Sequence, residues 1–363
     1  MARSSSSVGK TESRARQLGS ISRFQWLFLS ACLLLSLGGA FVFLTLHHPL
    51  KNATESIIHL REGDGALALA DLIRPARPNY LVLTADQLVL SVLARGYSLK
   101  AGEYDLKASP TLWSLVQAIH SGRTYTRSIT FIEGWTFRQW QEALRHAPGI
   151  RADPRAVDSQ ATARELAPQF DSIEGLLMAE TFFYQWGDSD LELYRRAHQL
   201  MQSELKSRLS DSMVLEDSNR GGTINPLTLS QAAYETLILA SIVEKESGQF
   251  ADQRRIARVF LNRLSQNMRL QSDPTVIYAL GSSFTGDLTR EDLKIDSPYN
   301  TYREKGLPPT PIANPGRQAI AAVLSPDAGS WLYFVGRGDG SSEFSTSLKA
   351  HNLAVRKYQL GIE

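Results

Sequence analysis

Phe24 to Leu46 ("FQWLFLSACLLLSLGGAFVFLTL") runs 23 residues without a charge. At roughly 1.5 Å per residue, a helix of that length crosses a hydrocarbon layer of roughly 30 Å, which predicts a transmembrane span. The tail before it carries Arg3, Lys10, Arg14, Arg16 and Arg23 against one acid, Glu12. This bias places the N-terminus in the cytoplasm and everything after His47 outside. A cleaved signal peptide competes, but the apolar region is longer than usual and no convincing small-x-small site follows it, which favours an uncleaved anchor.

From about Lys51 to Gly122, short apolar stretches ("NYLVLTA", "GEYDL") alternate with amphipathic ones. In "TLWSLVQAIHSG", Leu112, Leu115, Val116 and Ile119 recur at steps of three and four and Gly122 closes the pattern, predicting a helix with one core-facing stripe. "SITFIEGWTFRQWQEALRHAPG" repeats the order loosely: a short strand, a turn at Gly134, then a helix carrying Trp140 and Leu144. Trp113, Trp135 and Trp140 could stack on sugar faces, although burial in a core explains tryptophan more simply.

A loop rich in turn formers, Asp217 to Thr228 ("DSNRGGTINPLT"), marks a domain boundary near residue 220. Beyond it, Thr228 and Gln231 form a capping-box pattern, Ala232 to Glu246 lacks Gly and Pro, and Gly248 follows, predicting a helix from about Leu229 to Ser247. That helix ends in two glutamates. Residues two apart on a helix diverge by about 200°, so Glu244 and Glu246 cannot share a face. Glu246 continues the stripe of Leu239, Ile242 and Val243, and Glu244 falls on another flank. A carboxyl on the inward face, at the negative end of the helix dipole, has its charged form disfavoured and its pKa raised, as a general acid at neutral pH requires. A surface glutamate paired with Arg254 or Arg255 is the plain alternative.

"LQSDPTVIYALG" sets Gln271 and Asp273 before a proline-initiated turn, and five prolines fall between Pro298 and Pro315. Proline at that density makes a stiff loop that holds its side chains still. Tyr299, Asn300, Thr301 and Tyr302 combine aromatic faces with hydrogen-bonding groups, which suits sugar rings or, equally, a packed structural loop. "WLYFVGRGDGSSEFS" predicts a hairpin around Gly336 to Gly340, followed by a helix holding His351 and Asn352.

Composition narrows the function. A formal net charge of +2, with basic residues dispersed among acids, disfavours nucleic acid. Cys32 is the only cysteine and lies in the apolar run, so neither a disulfide framework nor a thiolate metal cluster is available. The chain has no H-E-x-x-H and no G-x-S-x-G, which counts against metal and serine hydrolases, and "VGKTES" lacks the first glycine of a P-loop, Ser4 standing in its place. His351 is a lone histidine, better suited to hydrogen bonding or packing than to ligating a metal.

"ASIVEKESG", "VFLNRL", "MRLQSDPTVIYALG", "SPYNTYREKGLPPTPIANPG", "LYFVGRGDGSSEFS" and "HNLAV" together resemble the successive blocks of the MltG-type (YceG-like) endolytic murein transglycosylases. The resemblance is dense from Leu239 to Tyr358 and looser over "KAGEYDL" and "FIEGWTF". It implies an α+β protein with a cytoplasmic tail (1–23), a single transmembrane anchor (24–46), an extracytoplasmic LysM-like and connecting region (47–220) and a catalytic domain (221–363). It also implies cleavage of the β-1,4 bond between N-acetylmuramic acid and N-acetylglucosamine within glycan strands, with Glu246 as the catalytic glutamate and no cofactor or metal. Gln271, Asp273, Tyr278, Asn300, Tyr302, Glu343 and Asn352 are then expected to position substrate or orient the glutamate. The expected partners are peptidoglycan strands, the cytoplasmic (inner) membrane through residues 24–46 and, at family level, peptidoglycan synthases. Ser272 stands where many members have Thr, while Thr310 and Asn314 occupy variable loop positions; none is expected to touch the acidic centre. A non-catalytic peptidoglycan-binding scaffold and a hydrolytic muramidase, with Asp273 as the second carboxylate, remain alternatives.

Overall fold

The computed structural model of the protein describes residues 23–50, 56–76, 80–209 and 230–361, with backbone alone at 80–83. The basic tail, the Asp217–Thr228 loop and the expected boundary at residue 220 lie outside the described residues. The chain forms two compact units, Met1–Tyr125 and Thr126–Glu363.

In the first unit, α1 (Arg23–His47) is 25 residues long, long and apolar enough to cross a membrane, and its apolar side chains are exposed. Strand β1 (Ile57–Leu60) pairs antiparallel with β2 (Gly102–Asp105), Ile57 opposite Asp105. Helices α2 (Ala66–Leu72), α3 (Tyr80–Leu93) and α4 (Leu112–Ser121) complete the unit. The stripe read from the sequence is the buried face of α4: Leu112, Leu115, Val116 and Ile119 join Leu60, Leu69 and Ile73 in one core. Its ends follow local chemistry. Thr111 and Ser114 exchange backbone and side-chain hydrogen bonds as a capping box, and Gly122 ends the helix at φ +75°, where a side chain would be strained.

The second unit opens with β3 (Arg127–Thr130), antiparallel to β4 (Thr181–Tyr184), and helices α5 (Phe137–Arg145), α6 (Ser159–Leu166) and α7 (Asp190–Leu209). Trp140 is fully buried and stacks on Phe131 with ring centroids 3.8 Å apart, so it belongs to the core. Then come α8 (Gln231–Glu246), α9 (Phe250–Ser265), α10 (Asp273–Leu280), α11 (Arg317–Leu324), the antiparallel hairpin β5 (Tyr333–Gly336) and β6 (Ser342–Ser345), and α12 (Leu348–Gln359). Ser230 is the N-cap of α8, its hydroxyl accepting from the Ala233 N–H at 3.2 Å, a position later than the expected Thr228 pattern. Within the second unit, Phe131, Trp140 and Tyr194 share one core with Leu237, Ile242 and Ile320.

Helix α8 is enclosed, every residue from Thr236 to Val243 being buried against neighbours that include α9, α10 and α11. The proline-rich loop is pinned beside it. The Ile312 N–H donates to Ser241 Oγ at 3.0 Å, and Asn314 accepts from the Leu177 N–H while donating to the Trp135 carbonyl. Gly175, at φ +75°, lets Pro311 approach so closely that an added Cβ would lie 2.2 Å from the Pro311 Cβ.

Candidate active site

Where α8 leaves the core, its two glutamates part. The Gly316 N–H, at the N-cap of α11, donates to Glu244 Oε2 at 3.1 Å, so Glu244 serves as a hydrogen-bond acceptor at a helix N-terminus. Glu246 lines a cleft of about 510 Å³ with Arg263, Gln271, Asp273, Tyr302, Tyr333, His351 and Asn352 among its walls. Arg254 and Arg255 are drawn instead to Asp327, which removes the surface ion pair as an account of Glu246.

The Ser272 hydroxyl donates to Glu246 Oε1 at 2.5 Å, so Ser272 touches the acidic centre, contrary to expectation. It is held there from behind. Its N–H donates to Thr301 Oγ1 at 3.0 Å, and its carbonyl accepts from the Thr275 hydroxyl at 2.7 Å. The adjoining Gln271 takes a left-handed conformation, φ +50°, and its N–H donates to the Thr301 carbonyl at 3.1 Å. Held strain of that kind in a non-glycine residue is typical of functional turns. Packing around Glu246 pushes its carboxyl up to about 7: loss of water dominates, the Ser272 hydrogen bond opposes it, the Asp273 charge adds to it and Arg263 opposes it. Glu246 is half-buried and lines the cleft with its remaining surface.

Five residues expected at the site meet in the cleft: Glu246, Gln271, Asp273, Tyr302 and Asn352. The Tyr302 hydroxyl donates to Asp273 Oδ1 at 2.5 Å, so the second carboxylate of the cleft is engaged by a phenol. Three others stand outside the cleft walls. Asn300 is fully buried; its amide donates to the carbonyls of Leu293 and Ile295 and its oxygen accepts from the Tyr302 N–H at 3.0 Å, which shapes the loop that presents Tyr302. Tyr278 rests on Tyr299 and donates to Glu174 Oε2 at 3.4 Å. Glu343 is ion-paired with Arg337 across the β5–β6 hairpin. Trp113, Trp135 and Trp140 line none of the cleft.

Arg263, Ser272 and Tyr333 lie within the family-like blocks but were expected to play no part in the site, and nothing in the sequence marked the buried acid Glu174. Arg263 and Tyr333 stack, the guanidinium carbon 5.2 Å from the ring centroid, and His351 lies against the same ring at 5.3 Å. Burial and the Arg263 charge both press the His351 pKa down, keeping it neutral.

This fold, with an acid at the end of an enclosed helix facing a polar cleft, has known counterparts. A sequence model of the YceG-like family matches residues 61–357, and the chain belongs to that family. An endolytic murein transglycosylase of Bacillus subtilis is 30% identical over 347 residues, covering 89% of this chain and 91% of that protein. An endolytic murein transglycosylase of Streptococcus pneumoniae is 27% identical over 296 residues, covering 72% of this chain and 51% of its own, so this chain spans about half that relative's length. A crystal structure of a yceG-like protein from Listeria monocytogenes superposes with a TM-score of 0.52 at 26% identity, over 82% of this chain and 98% of that one.

Proposed function

We propose that the protein is a membrane-anchored endolytic murein transglycosylase in which Glu246 acts first as acid and then as base. The observation that carries this is Glu246 itself, a carboxyl raised to about 7 in a polar cleft and oriented by the Ser272 hydroxyl. At neutral pH such a group holds its proton in a large share of molecules yet ionises readily. Glu246 donates that proton to the glycosidic oxygen between N-acetylmuramic acid and N-acetylglucosamine, and the bond to C1 breaks. As carboxylate it then accepts the proton of the muramic acid C6 hydroxyl, whose oxygen bonds to C1. The product carries a 1,6-anhydro end, Glu246 regains its proton, and no water is consumed. Gln271, Tyr302 and Asn352 offer hydrogen bonds to sugar hydroxyls and amides from the cleft walls.

In the same proposal α1 spans the cytoplasmic membrane with the basic tail inside, the β1–β2 unit is a LysM-like glycan-holding module, and the tether keeps the cleft near newly made strands and the synthases that extend them. Asp273 lines the same cleft, which gives a hydrolytic muramidase its one specific support.

The test is mass spectrometry of products released from purified peptidoglycan by the detergent-solubilised chain and by its Glu246→Gln variant. Anhydro-ended fragments that vanish in the variant are expected. Reducing ends would make the protein a hydrolase, and no products from either form would leave a binding scaffold.

A further inference from the structure

Arg263 is a buried cation, 7% exposed, with no ion pair to any acid among the described residues. Its Nε donates to the Leu332 carbonyl at 2.7 Å, and its Nη1 donates to the Leu270 carbonyl at 2.7 Å and more distantly to that of Arg269 at 3.4 Å. These bonds fasten α9 to the residue before β5 and to the segment that leads directly into Gln271 and Ser272. They leave Nη2 as the remaining donor of a side chain that lines the Glu246 cleft. A buried guanidinium held by carbonyl dipoles and the Tyr333 ring face, with no carboxylate paired to it, is unusual, because a desolvated charge ordinarily has a counter-ion. The acids that share its cleft are Glu246, which holds its proton in a large share of molecules at neutral pH, and Asp273, which is engaged by Tyr302.

We propose that Arg263 is a positioning residue for the transglycosylase reaction, held without a counter-ion so that it becomes the partner of the carboxylate that Glu246 forms on giving up its proton. This rests on the acid–base role of Glu246 proposed above. Proton donation to the glycosidic oxygen leaves a negative charge on a carboxyl that packing has largely desolvated, and a fixed cation lowers the cost of that charge without having to move. The Arg263 charge in turn acts on Glu246, opposing the rise of its pKa, and Glu246 acts on Arg263. The other titratable groups facing the pair are Asp273, Tyr302, Tyr333 and His351. Arginine suits this role because its fork can hold three carbonyls and still keep a donor and its charge.

The test is a carboxyl-carbon NMR titration of Glu246 in the full-length protein in detergent, the resonance being assigned by its loss in Glu246→Gln. Arg263→Gln is expected to raise the midpoint by about one unit or more, tenfold in the ionisation constant, while Arg263→Lys, which keeps the charge and gives up the fork, stays closer to the unmodified protein. An unmoved midpoint in a folded Arg263→Gln variant would reduce Arg263 to a structural clasp and overturn the proposal. Should that variant not fold, the guanidinium nitrogens of Arg263 in the unmodified chain carry the test: they should shift with the Glu246 midpoint and stay flat in Glu246→Gln. Flat signals in the unmodified chain would overturn it equally. Neither titration needs turnover, so a failure of the transglycosylase proposal would show separately, in the products.

Discussion

Ser272 Oγ stands 2.5 Å from Glu246 Oε1, joining two segments 26 residues apart in the chain. Because a hydroxyl can donate to a carboxylate, this bond favours the ionised form and holds the Glu246 pKa below where burial alone would drive it. Ser272→Ala should therefore raise it. Hydrogen bonds to charged groups are worth about 1.5–3 kcal/mol, so the alkaline limb of kcat/KM against pH should move upward by about one unit or more. Ser272→Thr keeps the hydroxyl and should leave the limb in place. A limb unchanged in the alanine variant would mean that the serine does not govern the acid.

Asp273 acts on Glu246 in the opposite direction. Its charge disfavours a second negative charge in the cleft, so Asp273→Asn should lower the Glu246 pKa and move the alkaline limb down. The same variant separates the two chemistries. In a transglycosylase it should still release anhydro-ended products, whereas a hydrolase that uses Asp273 to activate water or to attack C1 would lose nearly all turnover.

Much of the site was legible because local chemistry wrote it. Turn residues before Pro274, the proline density of the 298–315 loop and the position of Glu246 at a helix end are short-range signals that drew attention to Gln271, Asp273, Tyr302 and the acid, whereas Asn352 came only from the family resemblance; all five line one cleft. The apolar stripe was a weaker guide than it looked. Helix α8 is buried on all sides, so what singles out Glu246 is its place where the helix emerges, while Glu244 finds its partner 72 residues on, at Gly316. Arg263 bonds to backbone carbonyls and Ser272 to a distant side chain, and no periodicity or spacing announces such contacts. The core that joins Trp140 to Ile242 was hidden for a similar reason: its members are about a hundred residues apart in the chain.

Gly175 offers a test of how the proline-rich loop is held. A methyl group there would meet the Pro311 ring at 2.2–2.4 Å, and φ +75° is unfavourable for any residue with a Cβ. Adding overpacking to left-handed strain, Gly175→Ala should destabilise the fold by about 2–5 kcal/mol, measurable as a lowered midpoint in chemical denaturation. Activity should fall with it, since the displaced loop carries Tyr302 as well as Pro311. A variant as stable as the parent would mean that the loop can shift without loss.

Glu174 gives a pH signature of stability separate from the cleft. It is 4% exposed, its oxygens accept from the Phe137 N–H at 2.9 Å and the Tyr278 hydroxyl at 3.4 Å, and burial drives its carboxyl from 4.5 up to about 8. The folded state therefore binds a proton that the unfolded chain has released between those two values. With more protons bound in the folded state, stability falls as pH rises. The contribution is fully present below about 4.5 and is lost as pH climbs through about 8. Glu174→Gln keeps the shape and the hydrogen-bonding oxygen but cannot ionise. Its melting temperature should decline less between pH 5 and 8 than that of the parent, and the two curves should separate most at the alkaline end. Parallel curves would show that Glu174 ionises in the folded protein as readily as in the unfolded chain.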